Sequence, residues 1–130
     1  MNNLINFGIS DDDLDRIKNI FPYIDDISPE EIHQRIYILS NIGCKYELIK
    51  KIISSNPFYL DMSIKDIKSL LIRLIELGFT NLPVLFDANP NILSIDVKNL
   101  NNYLEKHMAN KSFDEIIKQL EENPYLFDEI

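Results

Sequence analysis

Cysteine is nearly missing from this 130-residue chain, which holds only Cys44. One cysteine forms no internal disulfide, so a reducing, cytoplasmic setting is expected. Tryptophan is absent, and the only three glycines lie 35 residues apart, so there is no glycine-rich phosphate loop. No stretch approaches the roughly 20 apolar residues that a membrane helix needs, so no membrane role is expected. The first ten residues carry no Lys or Arg, whereas secretory and mitochondrial leaders need basic residues there. His33 and His107 are isolated from each other and from Cys44 at ligand spacing, which argues against a metal site. No nucleophile motif is present. The expectation is a protein with no cofactor, no metal and no enzymatic activity.

The chain does hold enough apolar material to fold. Hydrophobic residues make up 45% and charged residues 26%. At this length one domain is expected, spanning residues 1–130. The net charge of −8 is unevenly spread. Residues 1–31 hold eight acids and two bases, and residues 112–130 hold six acids and one base. Residues 32–111 hold ten bases and seven acids, so the middle is mildly basic. Overall acidity disfavours non-specific binding to phosphate backbones.

Self-comparison exposes a repeat. Gly8, Gly43 and Gly78 are spaced by 35 residues, and Asn110 follows 32 later. Pro22, Pro57, Pro90 and Pro124 are spaced by 35, 33 and 34. Glycine is favoured just past a helix end because it enters the left-handed region without steric penalty, and Asn is next best. Proline disfavours helical geometry in the residue before it, so Asn56-Pro57, Asn89-Pro90 and Asn123-Pro124 each end a helix. Helix caps recur as well. Ser10, Thr80 and Ser112 sit two residues after a Gly or Asn mark, with the poor cap Lys45 in the same place. Ser28, Ser63 and Asp96 sit six residues after a proline. Ser28 with Glu31 and Ser112 with Glu115 read as capping boxes. Apolar staple pairs flank the caps: Ile9–Leu14, Ile27–Ile32, Cys44–Ile49, Met62–Ile67, Phe79–Val84 and Ile95–Leu100.

These marks predict first helices near 11–20, 45–55, 81–88 and 113–122, and second helices near 29–41, 64–77 and 97–108. The apolar segments after Pro57 and Pro90 are expected to form tight buried turns of 3₁₀ type. The fold class is therefore all-α, an α-solenoid of about 3.5 helical-hairpin repeats, with units near 1–27, 28–62, 63–95 and 96–130. Leu4, Ile5 and Phe7 align with the tail of a second helix. In helix 64–77 a wide apolar face is expected from Ile64, Ile67, Leu70, Leu71, Leu74, Ile75 and Leu77, with Ile72 alone among polar residues. Glu31–Arg35 and Glu47–Lys51 are i,i+4 ion-pair candidates.

The repeat resembles the mitochondrial transcription termination factor (mTERF-type) repeat. The stretch that carries this best is Leu74-Ile75-Glu76-Leu77-Gly78-Phe79-Thr80 through Asn89-Pro90-Asn91-Ile92-Leu93. Leu39 to Gly43 through Pro57 and Leu60 follows it. The resemblance implies a curved stack of two α-helices and a short 3₁₀ turn per unit. It also implies nucleic-acid binding along a basic concave surface. Members are usually longer, organelle-targeted and basic, whereas this chain is acidic.

Plainer roles compete with function at each candidate residue. Asp11, Asp12, Asp13 and Asp15 suit a helix first turn better than a calcium loop, which would need Gly and Glu where Arg16 and Pro22 stand. Cys44 suits packing. Lys45, Lys50, Lys51, Lys65, Lys68 and Arg73 form the one basic concentration. They are candidate phosphate or partner contacts, or ordinary solvated helix faces. The leading expectation is a non-enzymatic binding module for a protein partner. The alternative is nucleic-acid binding through the basic stripe. A third reading is an acidic decoy of a nucleic-acid-binding protein, which would need its acids on one face.

Overall fold

The computed structural model describes Leu4 and residues 7–130, and among these there is no strand. The chain divides into two compact units, Met1–Met62 and Ser63–Ile130. The first contains α1 (Asp11–Ile20), a 3₁₀ turn η1 (Pro22–Asp26), α2 (Pro29–Asn41), α3 (Tyr46–Ser55) and η2 (Pro57–Asp61). The second contains α4 (Ile64–Glu76), α5 (Leu82–Ala88), η3 (Pro90–Ser94), α6 (Val97–His107), α7 (Phe113–Glu122) and η4 (Pro124–Glu129). The fold is all-α, with helices repeating in the expected order. A 3₁₀ turn follows each helix-ending proline.

Helix starts are set by side-chain oxygens that accept a first-turn N–H. Ser10, Ser28, Ser63 and Ser112 accept from the third helical residue at 3.1–3.3 Å. Asp96 accepts from Lys98 at 2.8 Å. Each such cap stabilises its helix by about 1 kcal/mol. Lys45 makes no side-chain cap bond, as its chemistry requires. Thr80 was expected to cap α5. Instead Asn81 does so, accepting from the Val84 N–H at 3.3 Å. Pro83 explains the shift: with Thr80 as the cap, the third helical residue would be Pro83, which has no N–H to donate, whereas one residue on it is Val84, which has one. The expected Phe79–Val84 staple is lost with the shift: Val84 is exposed while Phe79 is buried, and exposed Thr80 now precedes the cap.

Helix ends use glycine as expected. Gly8, Gly43 and Gly78 have φ of 94°, 100° and 99°. After each glycine the next N–H reaches back five residues: Ile9 to Leu4, Cys44 to Leu39 and Phe79 to Leu74, at 3.0–3.2 Å. This bond pattern satisfies the last orphan carbonyls, and all six of those residues are buried. Asn110 was expected to imitate glycine but does not. No described non-glycine residue has positive φ. The chain leaves α6 through a turn in which both Asn110 and Lys111 donate to the His107 carbonyl. Right-handed geometry spares Asn110 the steric cost of the left-handed region. The alignment of Leu4 with a helix tail holds, since Leu4 is helical and buried, whereas Ile5 lies outside the described residues.

Within the first unit α2 packs on α3 and η2, and α1 packs on α3. Within the second α4 packs on α6, α6 on α7, and η4 on α5 and η3. The core is mainly aliphatic, centred on Ile17, Ile52, Ile53 and Leu60 in the first unit and on Leu70, Leu74 and Ile92 with Phe86 in the second. Each such side chain stabilises by roughly 1.5–3 kcal/mol on burial. The apolar face of α4 is narrower than expected. Ile67, Leu70, Leu71, Leu74 and Leu77 are buried, Ile64 is half-buried, and Ile75 is 58% exposed like Ile72. At 100° per residue Ile75 lies at the rim of the buried arc, on the same side as Lys68.

Candidate functional site

The basic residues singled out from sequence fall in both units. Lys45, Lys50 and Lys51 belong to α3 and its cap, and Lys65, Lys68 and Arg73 belong to α4. Several are engaged within the fold. The Lys50 ammonium lies 3.4 Å from the Glu47 carboxylate and 4.8 Å from the centre of the Tyr46 ring. Tyr46 in turn donates its hydroxyl to the Phe7 carbonyl. The expected Glu47–Lys51 pair is thus replaced by Glu47–Lys50, one residue nearer on the same helix face. Lys51 has an interaction of its own. Arg73 donates from Nε to Asn101 Oδ1 at 2.9 Å, linking α4 to α6. Lys65 and Lys68 are exposed and make no ion pair among the described residues. Three residues apart, they share the solvent face of α4 with Ile72 and Ile75. The structure brings those two lysines together and engages Lys50 and Arg73 elsewhere.

Arg35 was expected to pair with the Glu31 carboxylate. It is buried, and it donates instead to the main-chain carbonyls of Glu31 (2.9 Å) and Met62 (2.8 Å). The Tyr59 hydroxyl donates back to the Arg35 carbonyl at 2.7 Å. A guanidinium in this setting finds fixed acceptors in the main chain, so its charge serves the joint between α2 and η2 rather than a ligand. Burial pushes the Tyr59 phenol well above its usual range, which keeps it a neutral donor. Burial also pushes the Cys44 thiol up to about 11, matching a packing role and poor nucleophilicity. The remaining singled-out groups take plain roles. Asp11, Asp12 and Asp13 line the first turn of α1, and Asp13 bonds Arg16 at 3.0 Å. The His107 ring centre lies 4.2 Å from that of Tyr103. Among the described residues no group of three His, Cys, Asp or Glu could hold a metal ion. No described helix is long and apolar enough to cross a membrane.

A second set of exposed residues was missed in the sequence. Tyr23 and Tyr125 are 69% and 65% exposed and Phe58 is 46% exposed. Each directly follows the proline that opens a 3₁₀ turn, and Asn91 takes this place in η3. The signal was present as Pro22-Tyr23, Pro57-Phe58 and Pro124-Tyr125. With about three residues per turn, burying an apolar residue one or two places further on (Ile24, Tyr59 and Leu60, or Phe127) leaves this one facing solvent. The four turns together contain five acids and no Lys or Arg. In the first unit Phe21 neighbours both exposed rings, 6.4 Å from Tyr23 and 5.6 Å from Phe58, centre to centre. In the second unit Asn89, buried at its Asn-Pro break, donates to the Pro124 carbonyl (3.1 Å) and to Asp128 (3.0 Å), holding η4 in place. Two open cavities lie in that unit. One of about 310 Å³ runs along α5 beside Val84, Ala88 and Pro124, and one of about 520 Å³ is framed by Asn102, Tyr103, Lys106 and Glu129.

Paired helices with a 3₁₀ turn at each proline define a helical-repeat protein, a class that binds ligands on its surfaces. The mTERF family model matches residues 22–128, most of the chain, and the chain belongs to that family. No curated protein and no solved structure matches it.

Proposed function

We propose that this mTERF-family chain is a non-catalytic binding module whose ligand is a protein. The reading rests on the combination of acid excess with exposed large apolar side chains. Met1–Met62 holds ten acids and six bases and Ser63–Ile130 holds eleven and seven, so each unit carries −4. Both therefore repel a phosphate backbone on average. Tyr23, Tyr37, Phe58, Ile72, Ile75 and Tyr125 are all 46% exposed or more. Such side chains suit a protein interface better than a phosphate track.

A second reading, nucleic acid, is favoured by family membership and by Lys65 and Lys68 on the solvent face of α4. Fluorescence anisotropy of labelled single-stranded and duplex DNA and RNA separates the two. The protein reading expects no saturable binding even at low salt, about 0.05 M. Salt-sensitive binding that Lys65→Glu with Lys68→Glu removes would overturn it in favour of nucleic acid.

A further inference from the structure

We propose that the aromatic edge made by η1 and η2 in the first unit docks a cationic, arginine-rich protein segment. This rests on the protein-binding reading and gives that partner its chemistry. Tyr23 and Phe58 occupy equivalent places in consecutive 3₁₀ turns, and Phe21 joins them into one patch. Phe21 itself is buried, so the two outer rings are held against a fixed support rather than left on loose side chains. Anchored, exposed aromatic rings are typical of contact surfaces.

Charge decides what fits there. The same two turns carry Asp25, Asp26 and Asp61, all exposed, and neither contains a Lys or Arg. Lys18 approaches Asp25 at 3.8 Å, a loose exposed pair that solvent screens. A nucleic-acid backbone meets like charge at this edge. A guanidinium meets two favourable partners, since its plane stacks on a ring face while its N–H groups reach carboxylates. An ammonium gains less, because it is strongly hydrated and lacks a stacking plane. The edge should therefore prefer Arg over Lys, which bulk acidity alone would not do.

The test titrates the intact chain into labelled oligoarginine and oligolysine peptides of equal length near physiological salt. Oligoarginine is expected to bind about fivefold tighter than oligolysine, a gap of about 1 kcal/mol. Tyr23→Ser with Phe58→Ser leaves the net charge untouched and should weaken oligoarginine binding about tenfold. A thermal melt checks that this variant folds. Asp26→Asn with Asp61→Asn provides an independent route to the same edge, with about a fivefold loss expected. Glu121→Gln with Glu122→Gln removes two charges on α7 and should change affinity less than about twofold. Equal binding of the two peptides, or equal losses in the edge and α7 variants, would show charge attraction alone and overturn the inference. That failure leaves the protein reading standing. Binding of nucleic acid through Lys65 and Lys68 would remove the reading itself.

Discussion

In the first unit Arg35 and Tyr59 occupy the positions that Leu70 and Ile92 occupy in the second. Arg35 and Leu70 each stand seven residues past a Ser cap, and Tyr59 and Ile92 each stand two past a helix-ending proline. All four are buried. The joint between α2 and η2 is therefore polar, and the equivalent positions of the second unit are apolar. The polar joint works because its donors have main-chain acceptors at 2.7–2.9 Å. No buried side-chain nitrogen or oxygen lacks a partner among the described residues. The repeat thus constrains position and burial more tightly than chemistry.

Truncation should separate the two joints, read as denaturant midpoints of the intact chain. Leu70→Ala is expected to cost most, about 3–4 kcal/mol, because it loses transfer energy and leaves a cavity. Arg35→Ala should cost about 2–3 kcal/mol, since two charge-assisted bonds to the main chain disappear. Arg35→Leu with Tyr59→Phe makes the first joint resemble the second at similar volume. It should recover stability to within about 1 kcal/mol of the natural chain. If that double variant is as unstable as Arg35→Ala, the two joints are not interchangeable and the comparison fails.

The glycine stops allow a finer test. Gly78 has open space where a Cβ would stand, so Gly78→Ala should cost only the left-handed strain, about 1–2 kcal/mol. At Gly8 a Cβ would meet the Tyr46 hydroxyl, so Gly8→Ala should cost more by displacing its bond to Phe7. Equal midpoint shifts would place the whole effect in the backbone.

The smallest effect concerns Cys44. Its thiol is raised from 9.0 to about 11 by burial, so the folded state holds its proton where the unfolded chain releases it. Its contribution to stability is complete below pH 9 and is lost as pH rises toward 11. Alkylation at pH 8 should proceed at the rate of unfolding. Rapid labelling of the folded chain would contradict the packing role.

Much of this was legible in the sequence because capping and stopping are local. Ser10, Ser28 and Ser112 with the proline marks placed α1, α2 and α7 at their observed ends. The displaced start of α5 left a trace, since Gly78 to Pro90 is two residues shorter than the equivalent intervals, but Pro83 had to be weighed with it. The Arg35–Tyr59 joint left no such trace. Its bonds span 24 and 27 residues, and the neighbouring Glu31 offered a simpler local partner. The basic residues were legible as a cluster in sequence, but the engagement of Lys50 with Glu47 and Tyr46 and of Arg73 with Asn101 depends on which face each helix turns to its surroundings. The aromatic edge was legible only as a repeated Pro-aromatic pair, and its exposure follows from the 3₁₀ turn.

Amide chemical-shift mapping tests the central claim most directly, with oligoarginine and a DNA duplex each titrated into the labelled intact chain. The account predicts that oligoarginine shifts amides of residues 21–26 and 57–61 while the duplex moves none. Shifts induced by the duplex across residues 64–76, with residues 21–26 and 57–61 unmoved by oligoarginine, would contradict it.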